Sequence, residues 1–148
     1  MPDIYTDKWY EALIELAGTR DDLSAKVPQG QWLVAMEFKG DGISPYLSPG
    51  ETKYLFARLV NGKLVEFRES PERVTDRQLQ FRFMGPAHVF EEVAAGLLDP
   101  VEAGLSGSIV IRGDMRLFLQ HAELMKVIFD VYARNNVTDW PRGKPPYK

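Results

Sequence analysis

Apolar positions along the 148-residue chain change period several times, and each change marks an element. Over residues 4–17, Ile4, Trp9, Leu13, Leu16 and Ala17 recur mostly at three- and four-residue steps, with Tyr5, Ala12 and Ile14 widening the stripe. This spacing predicts an amphipathic helix that stops at Gly18, a residue free to take the left-handed turn that ends a helix. Residues 19–30 are polar and read as a loop with room for one helical turn over 21–26. The period then falls to two. Trp32, Val34, Met36 and Phe38 share one side of a strand over 32–38, which Gly40-Asp41-Gly42 closes. A second strand over 54–60 and a third over 63–68 flank Asn61-Gly62, a pair suited to a tight hairpin turn. A polar link over 69–77 leads to a fourth strand, in which Leu79, Phe81 and Phe83 alternate with Gln80 and Arg82.

The rest of the chain is mostly helical. Pro86 opens a helix that buries Val89, Phe90, Val93 and Ala94 and ends at Gly96. Asp99-Pro100 starts a short helix with Asp99 as its cap. A fifth strand over 109–111 runs through Gly113-Asp114 into a long last helix over 115–134, and the tail 135–148 has no regular period. That last helix has two apolar stripes. Met115, Phe118, Leu119, Ala122, Met125, Phe129 and Tyr132 form one, and Leu117, Leu124, Ile128 and Val131 the other. A surface helix on a simple core needs only one stripe, so two imply burial on two sides: against the sheet, and against other helices, a second subunit or an apolar guest. No repeat or linker divides the chain, which predicts a single domain over 1–148 with its core over about 4–134.

Composition narrows the choice of function. Apolar residues make up 45% and charged residues 26%, ordinary values for a globular domain. The net charge of -3 argues against holding a phosphate backbone, so no nucleic-acid partner is expected. With no cysteine, disulfides and thiolate chemistry are excluded. No basic-then-apolar leader opens the sequence, and the expected location is the cytoplasm, with at most transient membrane contact.

Candidate chemistry is sparse. His88 and His121 lie on different predicted helices without metal-ligand spacing, so neither a metal nor another cofactor is expected. Glu91 and Glu92 fall early in a helix whose N-terminal dipole favours them, and Asp114 is placed to cap the next. An enzyme built on Glu91, Glu92, His88 or Asp114 is a minor reading, and no catalytic residue is assigned. The serines lack a nucleophile elbow, and Gly104-Leu105-Ser106-Gly107 lacks the lysine of a phosphate loop.

One segment resembles a known family. Gly96, then Asp99-Pro100, then Gly107, a short strand and Gly113-Asp114-Met115 match the signature of the sterol carrier protein type 2 family in order and spacing. The upstream strands and hairpin fall in that family's order as well. The resemblance implies an α+β fold, with a five-stranded, mainly antiparallel sheet covered on one face by helices and an apolar ligand tunnel between them. It also implies carriage of fatty acids, acyl thioesters, sterols or phospholipids without covalent chemistry. The signature and the doubly apolar last helix together place the tunnel wall at Trp32, Phe81, Phe83, Phe90, Val93, Leu97, Leu98, Met115, Phe118, Leu119, Ala122, Met125 and Phe129. A headgroup is expected near Arg82, Arg116 or Gln120. The tail lacks the Ser-Lys-Leu address of the animal carriers; Trp140 and Tyr147 either fold back over the mouth or lie disordered. The rival reading is an interaction module whose last helix pairs with a second copy, as a homodimer, or with a partner enzyme.

Overall fold

The first helix begins later than its apolar stripe. In the computed structural model, which describes residues 2–18, 30–61, 63–75, 77–120 and 138–147, helix α1 spans Asp7–Gly18. Tyr5 adopts a left-handed φ of 67°. That turn breaks the run from Ile4, and the Thr6 hydroxyl then accepts the Trp9 N–H at 3.3 Å. Ile4 nevertheless stays buried with Trp9, Tyr10 and Leu13. The helical turn expected over 21–26 lies outside the described residues.

The strands are β1 (Gln31–Lys39), β2 (Thr52–Val60), β3 (Lys63–Ser70), β4 (Leu79–Pro86) and β5 (Val110–Gly113). They form one sheet in the order β3-β2-β1-β4-β5. β1 is central. Its pairing with β4 is parallel, and the other three pairings are antiparallel. The sheet is therefore mixed, as a strand that returns beside β1 after the β2–β3 hairpin must be when it runs the same way. Asn61 turns the hairpin with a φ of 49°. Its side-chain oxygen accepts the Gly30 N–H and its own N–H reaches the Gly30 carbonyl, both at 2.9 Å, fastening the start of β1 to the end of β2.

β4 runs on through Pro86, so α2 (Ala87–Ala94) starts one residue later than expected and Pro86 is its cap. Helix α3 (Pro100–Ser106) follows, with the Asp99 carboxylate accepting the Val101 N–H at 2.8 Å. β5 starts one residue and ends two residues beyond its sequence reading, and Ile109 is buried just ahead of it. Helix α4 is described over Met115–Gln120, and the Asp114 carboxylate accepts the Arg116 N–H at its start.

Register assigns the faces. Trp32, Val34 and Met36 align with Leu59, Ala57 and Leu55 on one side and, for the last two, with Phe81 and Phe83 on the other. α1 and α2 pack on this face. Tyr10 meets Phe67 edge-on at 5.2 Å, and Phe38 stacks on Phe90 at 4.0 Å. The opposite face holds Leu33, Ala35 and Glu37, also buried. Arg82 from β4 lies over this face, where it reaches Glu37 at 2.6 Å.

Candidate functional site

The helix-facing side of the sheet is an apolar wall with uneven cover. Phe81 and Phe83 are buried, as are Phe90 and Val93 from α2. Trp32, Val34, Met36, Leu64, Ile111 and Leu98 pack against this cluster yet remain only partly buried. Trp32 and Phe81 stand 6.0 Å apart, centroid to centroid. Six of the thirteen wall residues expected from sequence thus converge here: Trp32, Phe81, Phe83, Phe90, Val93 and Leu98. Leu97 and Leu119 are each 54% exposed and stand apart from it. The side chains of Met115 and Phe118, and the whole of Ala122, Met125 and Phe129, lie outside the described residues. Arg82 is not at a mouth on this side. Strand alternation turns it to the other face, where it binds Glu37 and the Val74 carbonyl.

Beside the wall is a buried polar knot that the sequence reading missed. Glu91, in the middle of α2, has no exposed surface. The Tyr5 hydroxyl donates to its Oε2 at 2.6 Å, the Ser44 hydroxyl to the same oxygen at 2.8 Å, and the Tyr147 hydroxyl to Oε1 at 2.6 Å. Burial pushes the Glu91 carboxyl above the usual glutamate range; the three hydroxyls oppose this without cancelling it, and the nearby Asp41 charge adds to it. The Tyr147 phenol is pushed far up by its own burial and by the bond to Glu91. Next to the knot, Asp41 accepts the N–H groups of Ile43, Ser44 and His88 and meets His88 Nδ1 at 2.6 Å. Burial alone would raise the Asp41 carboxyl, but these bonds together hold it well below the usual aspartate range. His88 is therefore locally bonded. Both Glu91 oxygens are taken by protein hydroxyls, so this acid ties segments together and offers no face to a substrate.

The same contacts locate the tail. Residues 138–147 fold back along the N-terminal segment, where Asp3 and Asp139 form a parallel bridge and the Thr138 hydroxyl accepts the Trp9 indole N–H at 2.8 Å. Tyr46 donates to the Gly143 carbonyl at 2.8 Å, its ring meets Trp140 edge-on at 6.2 Å, and Arg142 reaches the Pro45 carbonyl at 3.0 Å. The described tail is ordered by pairing with other segments, which its own sequence period could not reveal. Its last anchor is the bond from Tyr147 to Glu91. Tyr147→Phe is accordingly expected to cost about 1–2 kcal/mol, the worth of a hydrogen bond to a charged or partly charged acceptor. Amide exchange over 138–147 should accelerate more than exchange in β1; equal protection in both proteins would show that the bond is dispensable.

Comparison with known proteins bears on the fold. The solution structure of a conserved hypothetical protein from Thermus thermophilus, described as a candidate sterol carrier protein, matches with a TM-score of 0.73 at 17% identity, over 94% of this chain and 92% of that one. A crystal structure of sterol carrier protein 2 matches with a TM-score of 0.71 at 16% identity, over 89% and 98% of the two chains. The sec-alkylsulfatase Pisa1 from Pseudomonas sp. matches with a TM-score of 0.51 at 14% identity, over 84% of this chain but 16% of that one. No protein-family model matches the sequence, nor does any curated protein. At these identities the likeness establishes the sterol-carrier-protein-2-like fold across most of the chain, in accord with the signature over 96–115.

Proposed function

We propose that this domain binds and carries a long apolar molecule, such as a fatty acid, an acyl thioester, a sterol-like compound or a phospholipid, in a tunnel between the sheet and the helices. One observation carries the reading. β1 is the middle strand, and its side chains should be the least accessible of all. On the face away from α1 and α2 they are, with Leu33 at 3% and Ala35 at 1% exposure. On the helix-facing side Phe38 is covered by α2, but Trp32, Val34 and Met36 beside it remain only partly buried. Apolar surface left accessible beside a core is what an oily guest would cover, at roughly 25 cal/mol per Å² removed from water. In this reading Met115, Phe118, Ala122, Met125 and Phe129 complete the wall from the last helix. The fold, shared with sterol carrier protein 2, supports the same reading.

Val34→Trp tests it by filling that space from its floor. Affinity for a fluorescent fatty acid should fall about tenfold or more, equivalent to roughly 1.4 kcal/mol, while the circular dichroism spectrum stays that of the parent. Unchanged affinity in the folded variant would remove Val34 from the wall, and absence of fatty-acid, acyl-thioester, sterol and phospholipid binding by the parent would end the proposal. A second reading, a protein-interaction or dimerisation module serving a partner enzyme, draws support from Leu97 and Leu105, which are 54% and 64% exposed, and from the occurrence of this fold within a sulfatase. It predicts a mass that rises with concentration in light scattering and no lipid uptake.

A further inference from the structure

The face of the sheet turned away from α1 and α2 carries a different chemistry. Register places Arg58, Arg68, Arg82 and Arg112 on it, one from each of β2, β3, β4 and β5, with Lys39 at the end of β1. Its acids are outnumbered. Glu66 lies 3.6 Å from the Arg58 guanidinium and 3.2 Å from that of Arg68, so one carboxylate is shared by two cations. Glu37 repeats the arrangement, 3.0 Å from Arg73 and 2.6 Å from Arg82. Each group of three keeps one positive charge, and the exposed Arg112 and Lys39 add theirs. The chain as a whole is at -3, so positive charge is concentrated on this face and the remainder is more acidic than the total suggests.

This charge is accessible. The side chains of Arg58, Arg68 and Arg73 are 40%, 52% and 55% exposed, and Arg68 is held over the Phe56 ring at 5.1 Å. Guanidiniums fixed in place by stacking and by a shared carboxylate still have N–H groups to offer, and their planar fork fits phosphate oxygens. Val110, 43% exposed on the same face, adds apolar contact among the charges.

We infer that this face docks the domain on an anionic phospholipid bilayer. A broad sheet surface suits a planar target, and the acidic remainder of the molecule would be repelled by the same membrane, which fixes the approach. The inference deepens the reading of the domain as a lipid carrier, which must meet a bilayer to load and unload, and it assigns that contact to residues separate from the ligand wall.

The test is co-sedimentation of the full chain with vesicles of phosphatidylcholine alone and of phosphatidylcholine mixed with phosphatidylglycerol. Binding is expected to the mixed vesicles only and to weaken as salt rises. Arg58→Glu, Arg68→Glu and Arg112→Glu combined should lower the partition coefficient about a hundredfold or more, while the corresponding three changes to Lys should keep it within about threefold. If the reversed variant fails to fold, Arg112→Glu alone carries the comparison, with an expected loss of about fivefold or more. Equal binding to both vesicles, no binding to the mixed ones, or an unaffected folded variant overturns the inference. Binding of soluble poly-glutamate without vesicle binding also overturns it and points to an acidic protein partner. Fatty-acid titration without vesicles tests carriage separately, so failure of one reading is distinguishable from failure of the other.

Discussion

Alanine at position 113 is expected to cost the domain more than about 3 kcal/mol, a large fraction of the roughly 5–15 kcal/mol by which domains of this kind are stable. Gly113 ends β5 opposite Phe81, with a φ of 141°, in a region that side-chain-bearing residues rarely enter. A Cβ there would lie well inside contact distance of the Gln80 carbonyl oxygen and 2.8 Å from the Phe81 ring. The first obstacle is strand backbone near the start of β4, so it cannot rotate away as a side-chain tip could. Two costs therefore add, the unfavourable φ and the collision, and the collision falls on a residue of the apolar wall. Gly107 provides the internal comparison. It ends α3 with a φ of 85° but has open space where a Cβ would go. Gly107→Ala should cost only about 1 kcal/mol, the conformational part by itself. Urea denaturation of the two variants separates the effects; similar midpoints would mean that the β4–β5 contact yields easily and that the close approach at Gly113 carries little weight.

Both glycines belong to the segment resembling the carrier signature, one of several parts of this fold that were legible in the sequence. The features that local chemistry dictates were placed almost correctly: the hairpin at Asn61, the cap at Asp99, the alternation through Phe81 and Phe83, and the strand that enters the last helix. Errors of one to three residues arose where a longer-range contact prevailed over periodicity, as at Tyr5, whose left-handed turn places its hydroxyl on Glu91. The parallel pairing of β1 with β4 follows from where the chain returns after the hairpin, and no short window encodes it. Burial on both faces of β1 was open to reading, since Leu33 and Ala35 are apolar and interrupt the alternation, but the period of two drew attention to the Trp32 side alone. The tail had no period to read because its partners, Trp9, Tyr46 and Glu91, belong to three separate segments, between 56 and 129 residues earlier in the chain. For Glu91 a signal did exist. Ala87, Phe90, Glu91 and Ala94 fall at helical spacing on the buried side of α2, yet the helix dipole by itself supplied a sufficient reason for the charge.

Removing that carboxyl is the second large effect expected. Glu91→Leu would leave the hydroxyls of Tyr5, Ser44 and Tyr147 without their acceptor, and Ser44 is itself buried, so the loss should be about 3 kcal/mol or more. Glu91→Gln is the sharper probe because it keeps the shape and removes the ionisation. Burial raises the folded-state pKa of Glu91 above its ordinary value of 4.5, so between that value and the raised one the folded chain binds more protons than the unfolded chain. Stability from this group is fully present below the unfolded pKa and is lost as pH rises through the folded pKa. Asp41 acts in the opposite sense: its depressed folded pKa gives stability above its ordinary value of 3.8 that is lost as pH falls through the folded pKa. For these two neighbours the opposing slopes meet in mildly acid solution, where the knot beneath the tail should be tightest. Urea midpoints of the parent should therefore decline from mildly acid toward neutral pH, and those of Glu91→Gln should decline less. Parallel profiles for the two proteins would mean that the Glu91 proton has no influence on the fold, and the tail would then be held by its other contacts, from Thr138 to Arg142, independently of pH.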